Sequence, residues 1–192
     1  GLMVLANMDS QGITVLPTHR AVRNVAADRL ATLLDRASEL FNVSAADSLE
    51  ALQASMQAEQ AAGRHAFGIY LPGTGFRLLR LEKEASADAL LDANRTPAWR
   101  RLDVALLHGV VVDELLGVAT EQAMQSGQIG YIKDAGECIS RVNAGEYQVA
   151  LLLNPTPVQA IKDVALAGDK MPQKSTYFFP KLLSGLVINP VE

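Results

Sequence analysis

Residues 99–117, WRRLDVALLHGVVVDELLG, form the stretch that decides the fold, because they are long enough for a helix and apolar on nearly every side. A helix that is apolar all round must be covered by several other elements. We therefore predict a buried helix near residues 100–117 at the centre of the core. The other elements are expected to pack around it.

The sequence before this helix predicts two hairpins separated by helices. Apolar runs over 2–8 and 13–16 flank the turn-forming DSQG, and runs over 65–71 and 76–81 flank PGTG. Between them, apolar residues at three- and four-residue steps over 30–41 predict one helix. Ser44 and Asp47 resemble a capping box that opens a second helix, which ends at Gly63.

The sequence after the central helix alternates between strand and helix. We expect a strand at 129–133, a helix at 137–142, the strand YQVALLLNP and the helix PVQAIKDVALAG, with Thr156 as N-cap and Pro157 at the first helical position. Such alternation predicts an α/β fold, with α+β as the alternative. We expect one domain over 1–192, built on a mixed sheet with helices packed on it.

Composition excludes several functional classes. The 192 residues are 49% hydrophobic, enough for one sizeable core, and 17 basic against 21 acidic residues give a net charge of −4. An acidic chain is a poor general binder of nucleic acid. No apolar run reaches the length of a membrane span. The single cysteine, Cys138, and the missing signal pattern favour a reducing, cytoplasmic setting.

Metal and thiol chemistry have weak support in the sequence. Three histidines and one cysteine show no metal-ligand spacing, so we predict no metal site. Cys138 lies near the start of a predicted helix, which could lower the pKa of its thiol, although lone cysteines usually serve packing. His108 lies five residues after Asp103, too far around a helix for a same-face pair, and is expected to be a satisfied core histidine.

Two polar segments are candidates for anion binding. In LPTHR, the residues Thr18, His19 and Arg20 follow a strand and precede a helical segment, where free N–H groups can meet an anion. A purely structural reading of this segment, with Thr18 capping a helix and His19 bonding a buried carbonyl, stays open. The second segment is MPQKSTYFFPK, whose candidate ligand-binding residues are Lys174, Ser175, Thr176, Tyr177 and Lys181.

The second segment also has a structural interpretation. A strand, a helix and then MPQKSTYFFPK is the order of a right-handed crossover, which would place the segment beside YQVALLLNP. Phe178 and Phe179 would then complete the core, Tyr177 would cap it at the rim, and the lysines would protect an edge strand. The two readings differ in whether the segment meets LPTHR, because a shared anion site requires that contact.

The combination of LPTHR, LDVALLH and MPQKSTYFFPKLLSGLV resembles a bacterial and archaeal family, the domain of unknown function numbered one thousand and fifteen. The resemblance implies that this chain is the C-terminal part of a protein about twice as long. Family members carry, upstream, a DGHHR segment similar to that of ParB-like nucleotide-binding proteins and free-serine kinases. That segment is absent from these 192 residues.

Two hypotheses of function follow. In the first, the chain contributes an anion-binding surface to a phosphate- or nucleotide-handling protein, with a phosphotransferase related to ParB-like serine kinases as the expected class. Its ligand would be a small phosphorylated or carboxylate compound, no cofactor would bind this fragment itself, and nucleotide would bind the full-length protein. In the second, the chain is a non-catalytic module that docks the upstream domain or a second copy of itself. The sequence does not decide whether the protein is an enzyme.

Overall fold

The computed structural model describes residues 14–180. Its main element is a six-stranded sheet in the order β3-β5-β4-β7-β2-β6, and β1 and β8 form a separate two-stranded ribbon. The strands are β1 Thr14–Leu16, β2 His19–Val22, β3 Phe41–Ala46, β4 Ala66–Leu71, β5 Gly75–Leu81, β6 Ile129–Ile132, β7 Val149–Leu152 and β8 Tyr177–Phe179. The predicted α/β class is confirmed. Every strand pair described is antiparallel, so the expected mixture of strand directions is not found in this part of the chain.

Helices cover both faces of the six-stranded sheet. They are α1 Ala27–Ala31, α2 Leu33–Ala37, α3 Leu49–Ala61, α4 Glu84–Asp88, α5 Pro97–Arg100, α6 Asp103–Leu106, α7 Thr120–Ser126, α8 Ala135–Asn143 and α9 Val158–Leu166, with a π-helix over Leu107–Leu115. Because side chains alternate along a strand, Val22 and Leu151 pack into one apolar cluster with the π-helix. Ala21 and Ala150 face the other cluster, which includes residues of α3 and α8.

The predicted central helix is confirmed as the middle of the core. The run begins with α5, and α6 continues without a break into the π-helix. The π-helix buries five apolar side chains at 3% exposure or less, namely Leu107, Val110, Val111, Val112 and Leu115. Gly109 lets Leu91 approach the helix closely, since a Cβ at this position would lie 2.4 Å from Leu91 Cδ2.

Helix boundaries before residue 62 differ from the prediction. The helix expected over 30–41 is two short helices, α1 and α2, and Phe41 begins β3. Ser44 lies inside β3, so it opens no helix. Ser48 caps α3 instead, its Oγ accepting a hydrogen bond from the Ala51 N–H at 3.2 Å. The helical periodicity was correct up to Ala37, but residues Phe41–Ala46 pair with β5 as a strand.

The last helix and the segment after it also differ from the prediction. Pro157 is the N-cap residue of α9, while the Thr156 hydroxyl donates to the Ser175 carbonyl at 3.1 Å. The expected crossover beside β7 is wrong, because β8 pairs with β1. The PGTG hairpin is confirmed as β4 and β5. Most of the N-terminal hairpin predicted over 2–16 lies outside the described residues.

Candidate functional site

Arg20 is the largest side chain in the structure to be fully buried, with 1% exposure. It lies on β2, between Tyr131 of β6 and Leu151 of β7. Its side chain therefore enters the face of the sheet that the π-helix covers. An arginine in such a place must satisfy five N–H donors without water.

The guanidinium of Arg20 meets three acceptors and an aromatic ring. Nε donates to His108 Nε2 at 3.0 Å, Nη2 donates to the Lys174 carbonyl at 3.0 Å, and Nη1 donates to the Thr18 carbonyl. The guanidinium carbon lies 4.6 Å from the centre of the Tyr131 ring. These contacts join the LPTHR segment to the MPQKST segment, so the two candidate segments do meet.

Within residues 14–180, no carboxylate forms an ion pair with Arg20. Burial lowers the pKa of Arg20 to about 10, which leaves the group charged at neutral pH. Buried charges are normally neutralised by a partner of opposite charge, and here neutral carbonyls, an imidazole and a ring take that place. Within residues 14–180, Arg20 is thus a buried positive charge with no directly bonded carboxylate.

His108 is held neutral by this arrangement. Burial, followed by the positive charge of Arg20, lowers the pKa of His108 to about 3. Its Nε2 accepts a hydrogen bond from the Arg20 Nε–H and so carries no proton itself. His108 is thus a half-buried histidine whose Nε2 is bonded within the fold, and its ring orients the guanidinium.

His19 is buried, at 3% exposure. Its Nδ1 accepts a hydrogen bond from the Leu153 N–H at 3.3 Å, and burial and then Arg20 lower its pKa to about 4. The expected helix start after LPTHR is wrong, because His19 and Arg20 belong to β2. Anion binding at a helix N-terminus is therefore not available to this segment.

The MPQKST segment contains an internal hydrogen bond and one exposed lysine. The Ser175 hydroxyl donates to the Pro172 carbonyl at 2.6 Å, so it is already used. Lys174 is exposed and has a positive φ of 56°, and its side chain forms no ion pair within residues 14–180. Thr176 is half-buried, and the ammonium of Lys133 lies 3.7 Å from the centre of the Tyr177 ring, a cation–π contact.

These groups define what we call the cationic end of the sheet: Thr18, Arg20, Lys133, Lys174 and Thr176. Two of them, Lys133 and Lys174, are exposed, and the backbone carbonyl of Lys174 accepts a hydrogen bond from the buried guanidinium of Arg20. The nearby Asp134 is the N-cap residue of α8, and its Oδ1 accepts a hydrogen bond from the Glu137 N–H at 2.7 Å. Lys181, the remaining candidate, lies outside the described residues.

The phenylalanines of β8 do not complete the core, contrary to the structural interpretation of the sequence. Phe178 and Phe179 are 38% and 53% exposed. They pair through the backbone with Val15 and Thr14 of β1. The ribbon therefore presents apolar surface to the outside.

A cavity of about 430 Å³ adjoins the cationic end through His108 and Gln173. Its charged lining is acidic, with Arg95 against Asp92, Asp113 and Glu121. A negative lining repels phosphate and carboxylate groups. We therefore place the candidate anion site at the exposed lysines and not in this cavity.

Sequence reasoning missed a second polar pair, His65 and Asp103. His65 Nδ1 lies 2.6 Å from Asp103 Oδ1, and this hydrogen bond raises the pKa of His65 above its ordinary value. The two residues are 38 positions apart. No spacing rule connects them, since the contact depends on where β4 begins relative to α6.

Cys138 is buried, and burial raises the pKa of its thiol to about 12, which agrees with the packing role that lone cysteines usually have. In the part of the chain that the structure describes, no group of three or more His, Cys, Asp or Glu side chains could hold a metal ion. Over the same residues, no helix combines the length and the apolar character that a membrane span requires.

The fold and the cationic end define an α/β protein with an antiparallel sheet and a positively charged sheet end. The chain belongs to the family described as "Protein of unknown function (DUF1015)", whose sequence profile matches residues 1–105. The match includes LPTHR, whereas MPQKST lies beyond it. No curated protein matches the chain.

Two solved structures have a similar fold. A conserved hypothetical protein from Pyrococcus furiosus has a TM-score of 0.51 at 10% identity, over 91% of this chain and 60% of that one. A free serine kinase in complex with AMP has a TM-score of 0.50 at 12% identity, over 91% of this chain and 57% of the kinase. Identities this low show the fold alone. This chain spans less than two thirds of the length of either structure.

Proposed function

We propose that the protein handles a phosphorylated or nucleotide ligand and that the cationic end of the sheet binds the ligand's anionic group. The observation that carries the proposal is Arg20, a cation at 1% exposure with no carboxylate partner within residues 14–180. Keeping such a charge in the core costs several kcal/mol unless something offsets the cost. An anion bound at the surface above it would do so.

The residues around Arg20 suit this role. Lys133 and Lys174 are exposed and able to donate charge-assisted hydrogen bonds to a phosphate, and the half-buried Thr18 and Thr176 would add hydroxyl donors. Arg20 itself is too deeply buried to touch a ligand. Its part is to hold the Lys174 carbonyl, and thereby the loop, against β2.

The fold comparison supports the proposal at the level of the scaffold. A similar fold in the free serine kinase is found in complex with AMP. In this proposal the present chain supplies an anion-binding wall, and a phosphotransferase activity, as in ParB-like serine kinases, would need reacting groups from another part of the protein. A nucleotide would then be a ligand of that longer protein.

A second candidate function is an interaction module. It is favoured by the exposed Phe178 and Phe179 and by the internal hydrogen bonds that occupy Arg20 and Ser175. In this reading the ribbon docks another domain of the same protein or a second copy of the chain. The buried arginine would then serve only to fix the loop.

Isothermal titration calorimetry with AMP, ADP, ATP and inorganic phosphate tests the proposal. Lys174→Ala and Lys133→Ala should each weaken binding about tenfold, the loss of one charge-assisted hydrogen bond. Lys83→Ala is the matched control, since Lys83 is also exposed but follows β5, three strands away from β2. If none of these ligands binds, or all three variants behave alike, the interaction module is the better account.

A further inference from the structure

The His65–Asp103 pair lies where two cavities adjoin. His65 lines a cavity of about 310 Å³ and another of about 200 Å³, and Arg101 lines both as well. The two side chains of the pair are 21% and 16% exposed. A partly buried ion pair at the wall of two cavities can meet a small ligand.

The ring of His65 has one nitrogen left for such a ligand. Nδ1 is bonded to Asp103 Oδ1, and Nε2 forms no hydrogen bond with residues 14–180. A carboxylate on one nitrogen fixes the orientation of the ring and favours the imidazolium, in which both nitrogens donate. Protonated His65 therefore presents a charged Nε2–H donor.

Arg101 is the uncommitted cation of this site. It is exposed, and it forms no ion pair with any of the residues described. The other arginines here are engaged, Arg64 by Glu59 and Arg100 by Asp88 at 2.7 Å. Guanidinium groups bind phosphate and carboxylate oxygens in pairs, so a free one at a cavity wall is suited to an oxyanion.

The charges that face His65 differ between the two cavities. On the side of the larger cavity, Glu84 and Asp88 oppose the arginines. The smaller cavity has Arg64, Arg101 and Asp103 as its charged groups besides His65, together with the polar Gln60 and Thr156. Because Arg64 is paired with Glu59, Arg101 and protonated His65 against Asp103 leave this lining with one net positive charge. Sites for drug-sized molecules span about 300–1,000 Å³, so this cavity suits a smaller ligand.

We propose that His65 and Arg101 bind a small ligand through an oxyanion group, a phosphate or a carboxylate, in the smaller cavity, with Asp103 as the positioning residue. His65 Nε2–H and the Arg101 guanidinium donate to the ligand oxygens. This site is separate from the cationic end of the sheet and does not depend on the function proposed for it.

Imidazole NMR of the 192-residue protein tests the proposal directly. The sequence has three histidines. Burial lowers the pKa of His19 to about 4 and that of His108 to about 3, whereas the hydrogen bond to Asp103 raises the pKa of His65, so the His65 ring titrates at the highest pH of the three. Sulfate and acetate serve as probes, because both stay ionised above about pH 6. Sulfate should shift the His65 ring signals and move the His65 titration to higher pH. A shift with sulfate alone assigns a phosphate-type ligand, and one with acetate a carboxylate.

Single substitutions distinguish ligand binding by His65 from a purely structural role of the His65–Asp103 pair. Arg101→Ala should weaken sulfate binding about tenfold, while Arg23→Ala, an exposed arginine after β2, should not. Asp103→Asn removes the group that raises the pKa of His65, so sulfate binding should weaken near pH 7 and recover as the pH is lowered and His65 is protonated again. Unshifted His65 signals, or equal affinities in Arg101→Ala and Arg23→Ala, would overturn the proposal. Lys174→Ala should leave the His65 shift unchanged, so failure at one site is distinct from failure at the other.

Discussion

Acid should destabilise this protein through His108, and His108→Gln should remove that part of the effect. His108 has an ordinary pKa of 6.5 when unfolded and a pKa of about 3 in the fold, where its Nε2 accepts the Arg20 N–H. At pH values between these two pKa values, His108 is protonated in the unfolded state and neutral in the folded state. The contribution of His108 to the free energy of unfolding is therefore greatest above about pH 6.5 and is lost as the pH falls below that value.

The size of the effect follows from proton linkage. From about pH 7 to about pH 5, one histidine with these two pKa values costs about 2 kcal/mol of unfolding free energy. His108→Gln does not titrate, and its side-chain oxygen can still accept from Arg20. The wild-type protein should therefore lose about 2 kcal/mol more than the variant over this range.

Urea unfolding at both pH values measures this difference. The carboxylates, His19 and His65 are common to both proteins, so their contributions cancel when the two pH losses are subtracted. The raised pKa of His65 acts in the opposite sense, because it stabilises the fold at low pH and loses that contribution as the pH rises. Equal losses in wild type and variant would show that His108 is not held neutral, and the account of the buried arginine would fall with it.

Two further predictions concern packing and reactivity. Gly68→Ala should cost about 1–3 kcal/mol in urea unfolding, because its Cβ would lie 2.8 Å from Leu52 Cδ2 and 3.1 Å from Leu152 Cβ. Adding Leu52→Val should recover part of the loss, and no recovery would mean that the leucine is not the obstacle. Cys138 should react with a thiol reagent only on unfolding, since it is buried and its pKa is raised to about 12; rapid reaction of the native protein would contradict this.

The sequence predicted those elements whose signals are local. The apolar run over 99–117 indicated a buried helix, and PGTG between two apolar runs indicated a hairpin, because periodicity and turn chemistry depend on neighbours along the chain. The predicted helix boundaries were wrong where pairing with a strand distant in sequence determines the structure. Phe41 and Ser44 fit a helical pattern, yet β5 pairs with them as a strand.

The candidate sites depend on contacts between distant residues. The composition of LPTHR and MPQKST identified both segments as candidates. A shared anion site required contact between them, and Arg20 does donate a hydrogen bond to the Lys174 carbonyl. It could not show that Arg20 would be buried, since that follows from β2 lying between β6 and β7. The His65–Asp103 pair has no signal in the sequence, because its two residues lie 38 positions apart and on different elements.

The ribbon of β1 and β8 has a consequence for the order of assembly. It joins Leu16 and Tyr177, and nearly all of the described chain lies between them. Closing so long a loop costs chain entropy, and a ladder of three residue pairs returns little of it. We expect the ribbon to form late in folding and to detach first under stress. The segment carrying Lys174 can then loosen while the six strands keep their register.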